Sequence, residues 1–259
     1  MSVFVLVKQV PDTETKIVIK ADKSGIDTNE VKKWVINPYD EFAIEEALKT
    51  KDIIKSPTVT VVSLGPDRVV EALRTALAMG ADNAIHIKTE GDTDTFVVGK
   101  ALSEVLKKEG ATVVFAGKQA IDDDQAATFG YVAEFLGWPS VSVVTKIDWD
   151  AGGQSLKAER DVEGGTKFVV QASVPVCLAV DKGINTPRYA SLPGIMKAKK
   201  KEIKGYTLSD LGLNVGSAKV KEGEYLPPPE RAPGKKLSGD AATQAKELVR
   251  LLHEEAKVI

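Results

Sequence analysis

Short β-branched runs alternate with amphipathic stretches through the first half of the chain, and this alternation constrains the fold more than any other feature. The runs are bounded by turn residues, as buried parallel strands are; they are residues 3–9, 58–65, 84–88 and 112–118. The stretches between them repeat apolar residues at helical spacing; they are residues 38–51, 67–80 and 94–110. Strand–helix alternation at this spacing predicts an α/β fold with a doubly wound, mostly parallel sheet.

The second half of the chain lacks long helical stretches between its strand-like runs. These runs are residues 140–150, 156–162, 167–173 and 175–181. Strands that follow one another without a helical crossover usually pair antiparallel, so we predict an antiparallel addition to the sheet. The sequence Glu163-Gly164-Gly165 predicts a hairpin turn between two of these strands.

The chain becomes polar and rich in proline after residue 204. Residues 226–236 (LPPPERAPGKK) predict a stiff, exposed connector, and residues 240–257 predict a final helix with a stripe of leucines. We therefore predict two domains: a Rossmann-like nucleotide-binding domain over residues 1–205, and an extended C-terminal arm over residues 206–259. An arm that ends in an amphipathic helix is typical of a chain that embraces a partner.

The composition is that of an ordinary soluble globular protein. The chain has 259 residues, of which 43% are hydrophobic and 28% charged, and its formal net charge is −2. Such a charge argues against nucleic-acid binding, which needs a broad basic face. The single cysteine, Cys177, lies in an apolar run and is expected to be buried. There is no apolar run of about 20 residues and no signal peptide at the start, so we expect a cytoplasmic protein without membrane insertion.

Three loops that follow predicted strands contain turn and charged residues suited to ligand binding. They are KQVPDT, SLGPDR and GKQAIDDDQAATFG, and the segment INPYDEF adds a fourth loop, in which Asn37 is expected to cap the next helix. Backbone amides at helix starts, with Ser63, Gly65 and Thr128 nearby, could hold a phosphate; ordinary turns are the alternative. The sequence contains no GxGxxG, GxxxxGK[ST] or GxSxG motif.

No group of residues predicts catalysis by this chain alone. The acidic run Asp122–Asp124 could bind a metal ion, but neighbouring side chains point apart, and capping of a helix N-terminus is the favoured interpretation. His86 falls in a predicted strand and His253 in the last helix, without metal-ligand spacing or a nucleophile beside them. We expect no metal site and no catalytic residue.

Residues 188–201 (RYASLPGIMKAKKK) join an apolar stretch to a run of lysines. Pro193 and Gly194 predict a loop rather than a regular element. Large apolar side chains on a loop, here Leu192, Ile195 and Met196, are unexpected unless they pack on something. The pattern by itself favours a loop at a subunit interface followed by solvated lysines.

Several of these segments together resemble the β subunit of electron transfer flavoprotein. They are GKQAIDDD, ERDVEGG, INTPRYASLPGIMKAKKKEI, INPYDEFAIEEAL and RTALAMGAD, and the likeness extends to about residue 205. The resemblance implies a domain similar to adenine nucleotide alpha hydrolases. It also implies a heterodimer whose α subunit carries the redox FAD on a mobile domain and receives the C-terminal arm. The β subunit would supply a scaffold and a buried AMP.

The resemblance also implies roles for individual residues. Those that would contact AMP are Leu6, Asn37, Pro38, Tyr39, Asp40, Leu64, Gly117, Lys118, Gln119, Ala120, Ile121, Asp122, Asp123, Asp124, Gln125, Ala126, Ala127 and Thr128. Arg160 and Asp161 would face the flavin domain. Ala126 and Ala127 depart from the Gln-Thr-Gly that the family often shows, so only backbone contacts to a phosphate could persist there.

Docking of partners is implied for the segment around Leu192. In the family, a leucine at this position enters an apolar pocket of a flavin dehydrogenase, such as an acyl-CoA dehydrogenase, with Ile195 and Met196 beside it. Lysines Lys197, Lys199, Lys200 and Lys201 would steer acidic partner surfaces. Electrons would then pass toward a quinone reductase of the type that oxidises electron transfer flavoprotein.

Two other functions remain open at this point. A flavin-bifurcating relative would bind FAD in place of AMP and oxidise NADH, but Asp123 stands where such proteins have a glycine. A separate adenine-nucleotide binding or hydrolysing protein would need a glycine-rich loop at SLGPDR, and the C-terminal arm argues for a partner instead.

Overall fold

The computed structural model describes residues 1–91, 93–214, 218–230 and 233–259. It divides into two compact units. The first contains Met1–Val18 and Ile26–Gly223, and the second contains Ile19–Gly25 and Glu224–Ile259. The predicted boundary after residue 205 lies inside a strand of the first unit, which continues to Gly223.

The described residues form eleven strands and six α-helices, and the predicted α/β class is confirmed. The strands are β1 (Val3–Leu6), β2 (Gln9–Pro11), β3 (Trp34–Ile36), β4 (Val59–Gly65), β5 (Asn83–Lys88), β6 (Val113–Gly117), β7 (Ser140–Trp149), β8 (Ser155–Asp161), β9 (Lys167–Ser173), β10 (Val176–Val180) and β11 (Ile203–Thr207). The helices are α1 (Pro38–Ile53), α2 (Val69–Met79), α3 (Thr95–Lys108), α4 (Thr128–Leu136), α5 (Leu192–Lys200) and α6 (Ala241–Glu254).

Nine of these strands form one sheet in the order β11-β5-β4-β1-β6-β10-β7-β8-β9. Neighbours from β11 to β7 are parallel, whereas β8 and β9 are antiparallel, which confirms the doubly wound sheet with an antiparallel addition. The remaining two strands, β2 and β3, pair separately. The turn at Glu163–Gly165 joins β8 to β9, as predicted.

Strand β10 is not part of the antiparallel addition, where its sequence position had suggested it would lie. It runs parallel between β6 and β7. All five of its residues are buried, and a wholly apolar run is stable only where both faces of the sheet are covered. Cys177 lies in this strand with no exposed surface, and burial raises the pKa of its thiol to about 12.

Two hydrophobic layers cover the two faces of the sheet. Val3 and Val5 of β1 pack in the layer that contains residues of α1, α2 and α5. Phe4 and Leu6 pack in the layer that contains residues of α3 and α4. This alternation follows from the two-residue period of a strand, which sends successive side chains to opposite faces.

The order in which strands are added to the sheet reverses at β1. Strands β4 and β5 are added on one side of β1, and β6 and β10 on the other. At such a reversal the connections that follow the two central strands run to opposite sides. A crevice therefore opens between them, at the carboxyl ends of those strands. The crevice therefore lies beyond Leu6 of β1 and Gly117 of β6, and α1 begins beside it.

The predicted loop at residues 188–201 is wrong, because residues Leu192–Lys200 form helix α5. Ser191 caps this helix, and its Oγ accepts a hydrogen bond of 3.1 Å from the amide of Gly194. Pro193 lies in the first turn, where an amide has no partner within the helix, so its missing N–H costs nothing. Proline here starts a helix instead of preventing one.

The second unit contains the predicted terminal helix as α6, which Asp240 caps through a hydrogen bond of 2.8 Å from the amide of Thr243. Leu248 and Val249 of α6 are about half exposed. The connector predicted at residues 226–236 includes residues 231–232, which lie outside the described residues; its described part contains no helix or strand. Across the described residues, no helix is both long and apolar enough to cross a membrane.

Candidate functional site

One buried carboxylate connects the elements that border the crevice. Asp40 lies in the first turn of α1, and its Oδ2 accepts a hydrogen bond of 2.7 Å from the amide of Lys8. Its Oδ1 accepts bonds of 3.0 Å from the amide of Gly117 and from Nδ2 of Asn37. Asp40 thus holds the chain after β1, the end of β6 and the start of α1 together.

Burial raises the pKa of Asp40 to about 7, because an ionised carboxylate loses its hydration there. The hydrogen bonds from Lys8, Asn37 and Gly117 act in the opposite direction but do not outweigh the burial. Both oxygens are engaged by groups of the chain itself. The side chain therefore supports the crevice from within.

Asn37 does not cap α1 with its side chain, so that prediction is wrong. Its Nδ2 donates to the carbonyl of Gln119 over 2.8 Å, and its Oδ1 accepts a bond of 3.2 Å from the amide of Ile121. Pro38 occupies the first helical position and offers no amide, while the amide of Asp40 bonds to the backbone carbonyl of Asn37. The side chain of Asn37 is therefore available to hold the loop that follows β6.

The acidic run in that loop is paired within the chain and does not cap a helix. Asp122 and Asp123 bind Nζ of Lys8 over 2.8 and 2.9 Å, and Asp124 accepts a bond of 2.7 Å from the side chain of Gln119. Helix α4 begins only at Thr128, which is why the predicted capping role is wrong. Burial alone would lower the pKa of Lys8, but the bonds and charges of the two aspartates raise it.

The backbone between this loop and α4 has an unusual conformation. Asp124 and Ala126 have φ angles of 50° and 52°, in the left-handed region that residues other than glycine rarely adopt. The residue before α4 is Ala127, whose methyl group cannot cap the helix. The amide groups at the start of α4 therefore have no capping side chain, as is common where a helix end binds an anion.

Cationic and aromatic side chains border the same end of the sheet. Lys118 binds Asp181 over 2.9 Å and lies 5.2 Å from the ring centroid of Tyr39. The guanidinium of Arg68 lies 3.4 Å from the ring centroid of Trp34. Arg68 and Lys8 were not predicted as site residues, and no sequence signal beyond their place in strand-end loops distinguishes them.

Other predicted site residues lie in or near the sheet. Leu6 is buried and Leu64 is half-buried. Ser63, which was considered for a phosphate cradle, is buried and its Oγ has no hydrogen-bond partner. His86 is also buried, with Nε2 at 2.9 Å from the carbonyl of Gly65, and His253 lies in α6 of the second unit. The described residues contain no group of three side chains that could hold a metal ion.

A second polar region lies on the antiparallel addition. Val143, with a φ of 58°, forms a bulge in β7, beside a cavity of about 470 Å³ that Arg160, Asp161 and Glu163 also line. Nε of Arg160 is buried without a hydrogen-bond partner, while Nη2 donates to Oγ of Ser142 over 3.3 Å. A buried guanidinium nitrogen without a partner is costly, so this site is suited to an acceptor from another molecule.

Helix α5 presents apolar and basic side chains to solvent. Leu192 is 74% exposed and Met196 54%, and Ile195 is 38% exposed. Lys197, Lys199 and Lys200 are exposed, and within the described parts of the chain no carboxylate pairs with them. Lys201 differs, since its ammonium donates to the carbonyls of Ala81 and Asp82 over 2.7 and 2.9 Å. These bonds leave the positive charge of Lys201 in place, so its role in steering a partner stays a prediction.

Residues 27–211 match the family model described as "Electron transfer flavoprotein domain". The chain is 42% identical to the electron transfer flavoprotein subunit beta of Bacillus subtilis, with all of both chains aligned. It is 39% identical to the mitochondrial subunit beta of Arabidopsis thaliana, again over all of both chains. The subunit beta of Homo sapiens is 38% identical, and the match covers 97% of this chain and 99% of that one. This likeness along the whole length shows that the chain belongs to the electron transfer flavoprotein family, among its beta subunits.

Proposed function

We propose that this chain is the nucleotide-binding and docking subunit of an electron carrier, and that it performs no catalysis of its own. It binds AMP as a structural group, supports an α subunit that carries FAD, and docks flavin dehydrogenases such as acyl-CoA dehydrogenases. Electrons pass from the dehydrogenase toward a quinone reductase, and we place the complex in the cytoplasm. The observation that carries the proposal is the identity to beta subunits over the whole chain.

The residues of the crevice fit an adenine nucleotide. Backbone amides at the start of α4 and the left-handed conformations at Asp124 and Ala126 suit a phosphate. Asp122 and Asp123 would repel a phosphate, and Lys8, which binds both, offsets one of their two negative charges. AMP at this site would hold the loop after β6 against α1 and contribute no redox chemistry.

The antiparallel addition supports the proposed contact with the α subunit. Arg160 has an unpartnered buried nitrogen beside an open cavity, and Phe168 and Val169 on β9 are 54% and 66% exposed. Apolar side chains on an edge strand, next to a polar group that needs a partner, are typical of a surface that another chain covers. When bound in the α subunit, FAD supplies the redox chemistry, and Arg160 and Asp161 would face its domain.

The exposed face of α5 supports the proposed docking of a flavin dehydrogenase. Leu192 and Met196 give the fold little, because most of their surface remains in contact with water. A pocket on the dehydrogenase would bury Leu192 as a central apolar anchor. The unpaired charges of Lys197, Lys199 and Lys200 would attract an acidic surface and orient the encounter.

Nucleotide analysis of the purified complex tests this function. We expect that co-expression with the α subunit of the same organism gives a heterodimer that releases AMP and FAD in equal amounts on denaturation, as measured by HPLC. Two FAD per heterodimer with no AMP would instead indicate a flavin-bifurcating protein. A chain that purifies alone and turns over ATP would contradict the proposed carrier function.

A further inference from the structure

Helix α5 is capped at its carboxyl end by an arginine of a neighbouring helix. Nη1 of Arg74, which lies in α2, donates to the carbonyls of Ala198 and Lys201. The last carbonyl groups of a helix lack the regular amide partners of its interior, and that of Ala198 accepts only a long bond of 3.3 Å from the amide of Lys201 among the described backbone amides. The half-buried side chain of Arg74 supplies a donor from beneath α5.

Lys201 makes a second connection at the same end. Its ammonium donates to the carbonyls of Ala81 and Asp82, which directly precede β5. The end of α5 is therefore fixed both to α2 and to the central sheet.

The segment before α5 is fixed to α1 by a bidentate ion pair. Nε and Nη2 of Arg188 donate to the carboxylate of Glu45 over 2.7 and 3.0 Å, and the amide of Arg188 donates to it as well. The Glu45 side chain is only 6% exposed. Charge-assisted bonds of this geometry are among the strongest side-chain contacts in proteins.

Between these two ends, α5 lies close against α2. Ala198 is 2% exposed and belongs to the layer that includes residues of α2. A Cβ atom on Gly194 would lie 2.5 Å from the carbonyl oxygen of Ala78, so no larger residue fits there without movement. The inner face of α5 is thus closely packed against α2, and Leu192 lies on the outer face.

We propose that Arg74 is a positioning residue for partner docking, which rests on the docking function proposed above. Its guanidinium is engaged beneath α5 and acts on a partner only through the position of the helix. A helix that is already ordered loses less conformational freedom on binding than a loop would, so affinity and rate of docking both benefit. Loss of Arg74 should release α5 and weaken docking while Leu192 itself is unchanged.

Hydrogen exchange tests the structural half of this inference in the heterodimer. Arg74→Met keeps the aliphatic stem but removes the donors, and Arg74→Lys restores a charged donor. The matched control is Lys108→Met, because Lys108 of α3 donates to the carbonyl of Asp210 over 2.9 Å on the opposite face of the sheet. We expect amides of residues 195–201 to exchange about tenfold faster in Arg74→Met, less so in Arg74→Lys, and unchanged in Lys108→Met.

A double-mutant cycle tests the functional half. Electron transfer from a substrate-reduced acyl-CoA dehydrogenase is measured by stopped flow for Arg74→Met, for Leu192→Ala and for the double variant. We expect Arg74→Met to lower the rate about 3- to 10-fold when Leu192 is present and less than about twofold when it is absent, because residues acting through one contact are not additive. Arg74→Lys should recover part of the rate.

The outcomes separate the two proposals. Normal transfer by Leu192→Ala would refute the docking function and the role of Arg74 with it. Impaired transfer by Leu192→Ala together with normal transfer or normal exchange in Arg74→Met would overturn only the role of Arg74. Equal effects of Arg74→Met in both backgrounds would also overturn it. If Arg74→Met does not fold, Arg74→Gln replaces it in the same cycle.

Discussion

Gly117 shows at the residue scale how closely α1 approaches the end of β6. A Cβ atom there would lie 2.6 Å from Cβ of Tyr39 and 2.8 Å from its carbonyl carbon, and would also meet Oδ1 of Asp40. The Tyr39 carbon is backbone and cannot move without the helix. The absence of a side chain at Gly117 is therefore what allows Asp40 to reach the amides on both sides of the crevice.

We expect Gly117→Ala to destabilise the protein by about 1–3 kcal/mol through overpacking. It should also reduce the amount of AMP that copurifies with the heterodimer, because the start of α1 must shift. Urea unfolding and nucleotide HPLC measure the two effects. The control is Gly130→Ala, an exposed position within α4 where a Cβ meets nothing within 4 Å. There alanine should stabilise the helix by up to about 1 kcal/mol, and equal behaviour of the two variants would contradict the steric argument.

Asp40 should make the stability of the protein depend on pH. Its pKa is about 7 in the fold and close to its ordinary value of 3.8 in the unfolded chain. Between these values the native state keeps a proton that the unfolded state has lost, so the free energy of unfolding falls as pH rises. The slope from this one group is at most about 1.4 kcal/mol per pH unit, and it ends above pH 7.

The comparison with Asp40→Asn isolates this contribution, because asparagine does not titrate. We expect the free energy of unfolding of the wild type, relative to the variant, to decrease from pH 4.5 to pH 7 in urea titrations. The charge of Lys8 acts on Asp40, but the pKa of Lys8 is raised from its ordinary value of 10.5, so Lys8 does not titrate in this window. A difference that is constant with pH would mean that Asp40 is ionised throughout.

At the scale of elements, α5 is where interpretation of the sequence failed most clearly. Pro193 and Gly194 next to each other indicated a loop, yet each has a separate reason to be in a helix. Proline is favoured in a first turn, and Gly194 allows the helix to touch the carbonyl of Ala78. Leu192, Ile195 and Met196 lie toward the amino end of the helix, and the lysines lie in its last turn. Positive charge at the carboxyl end interacts favourably with the helix dipole.

The lysines of α5 should act on the rate of encounter. We expect the double substitution of Lys199 and Lys200 by glutamine to lower the association rate with a flavin dehydrogenase and to flatten its dependence on salt, because it removes two exposed, unpaired charges. Stopped-flow measurements at several ionic strengths provide the test. Leu192→Ala is the contrast, since its effect should persist at high salt. An unchanged salt dependence in the lysine variant would exclude steering by these residues.

At the scale of the whole molecule, the crevice beyond β1 and β6 is where we propose that AMP binds. The described residues include no cluster of metal ligands, and the sequence has no dinucleotide-binding motif. Exposed apolar residues on β9 and on α6 are consistent with the contact with an α subunit that we propose.

We therefore expect the chain expressed without its α subunit to be colourless. Absorbance at the flavin bands and HPLC of the denatured protein measure its flavin content, and the co-expressed heterodimer is the positive control. A yellow preparation of the single chain with one flavin per molecule would contradict this expectation.

The sequence alone determined the class of fold, most element positions and the family. Alternation of β-branched runs and amphipathic stretches is a local pattern. It predicted the parallel strands β1, β4, β5 and β6 and the helices α1 to α3, because burial on one or two faces of an element sets the spacing of its apolar residues. The final helix and the turn at Glu163–Gly165 followed from equally local signals. The segments that identified the family are likewise contiguous in the chain.

Only the tertiary structure decided the contacts between residues far apart in sequence. β10 lies in the parallel part of the sheet, and Lys8 binds Asp122 and Asp123. The side chain of Asn37 does not cap α1 but hydrogen-bonds to the loop after β6. Arg74 lies beneath α5. Local patterns do not contain such pairings, because each depends on which elements the sheet order makes neighbours and on how much water remains between them.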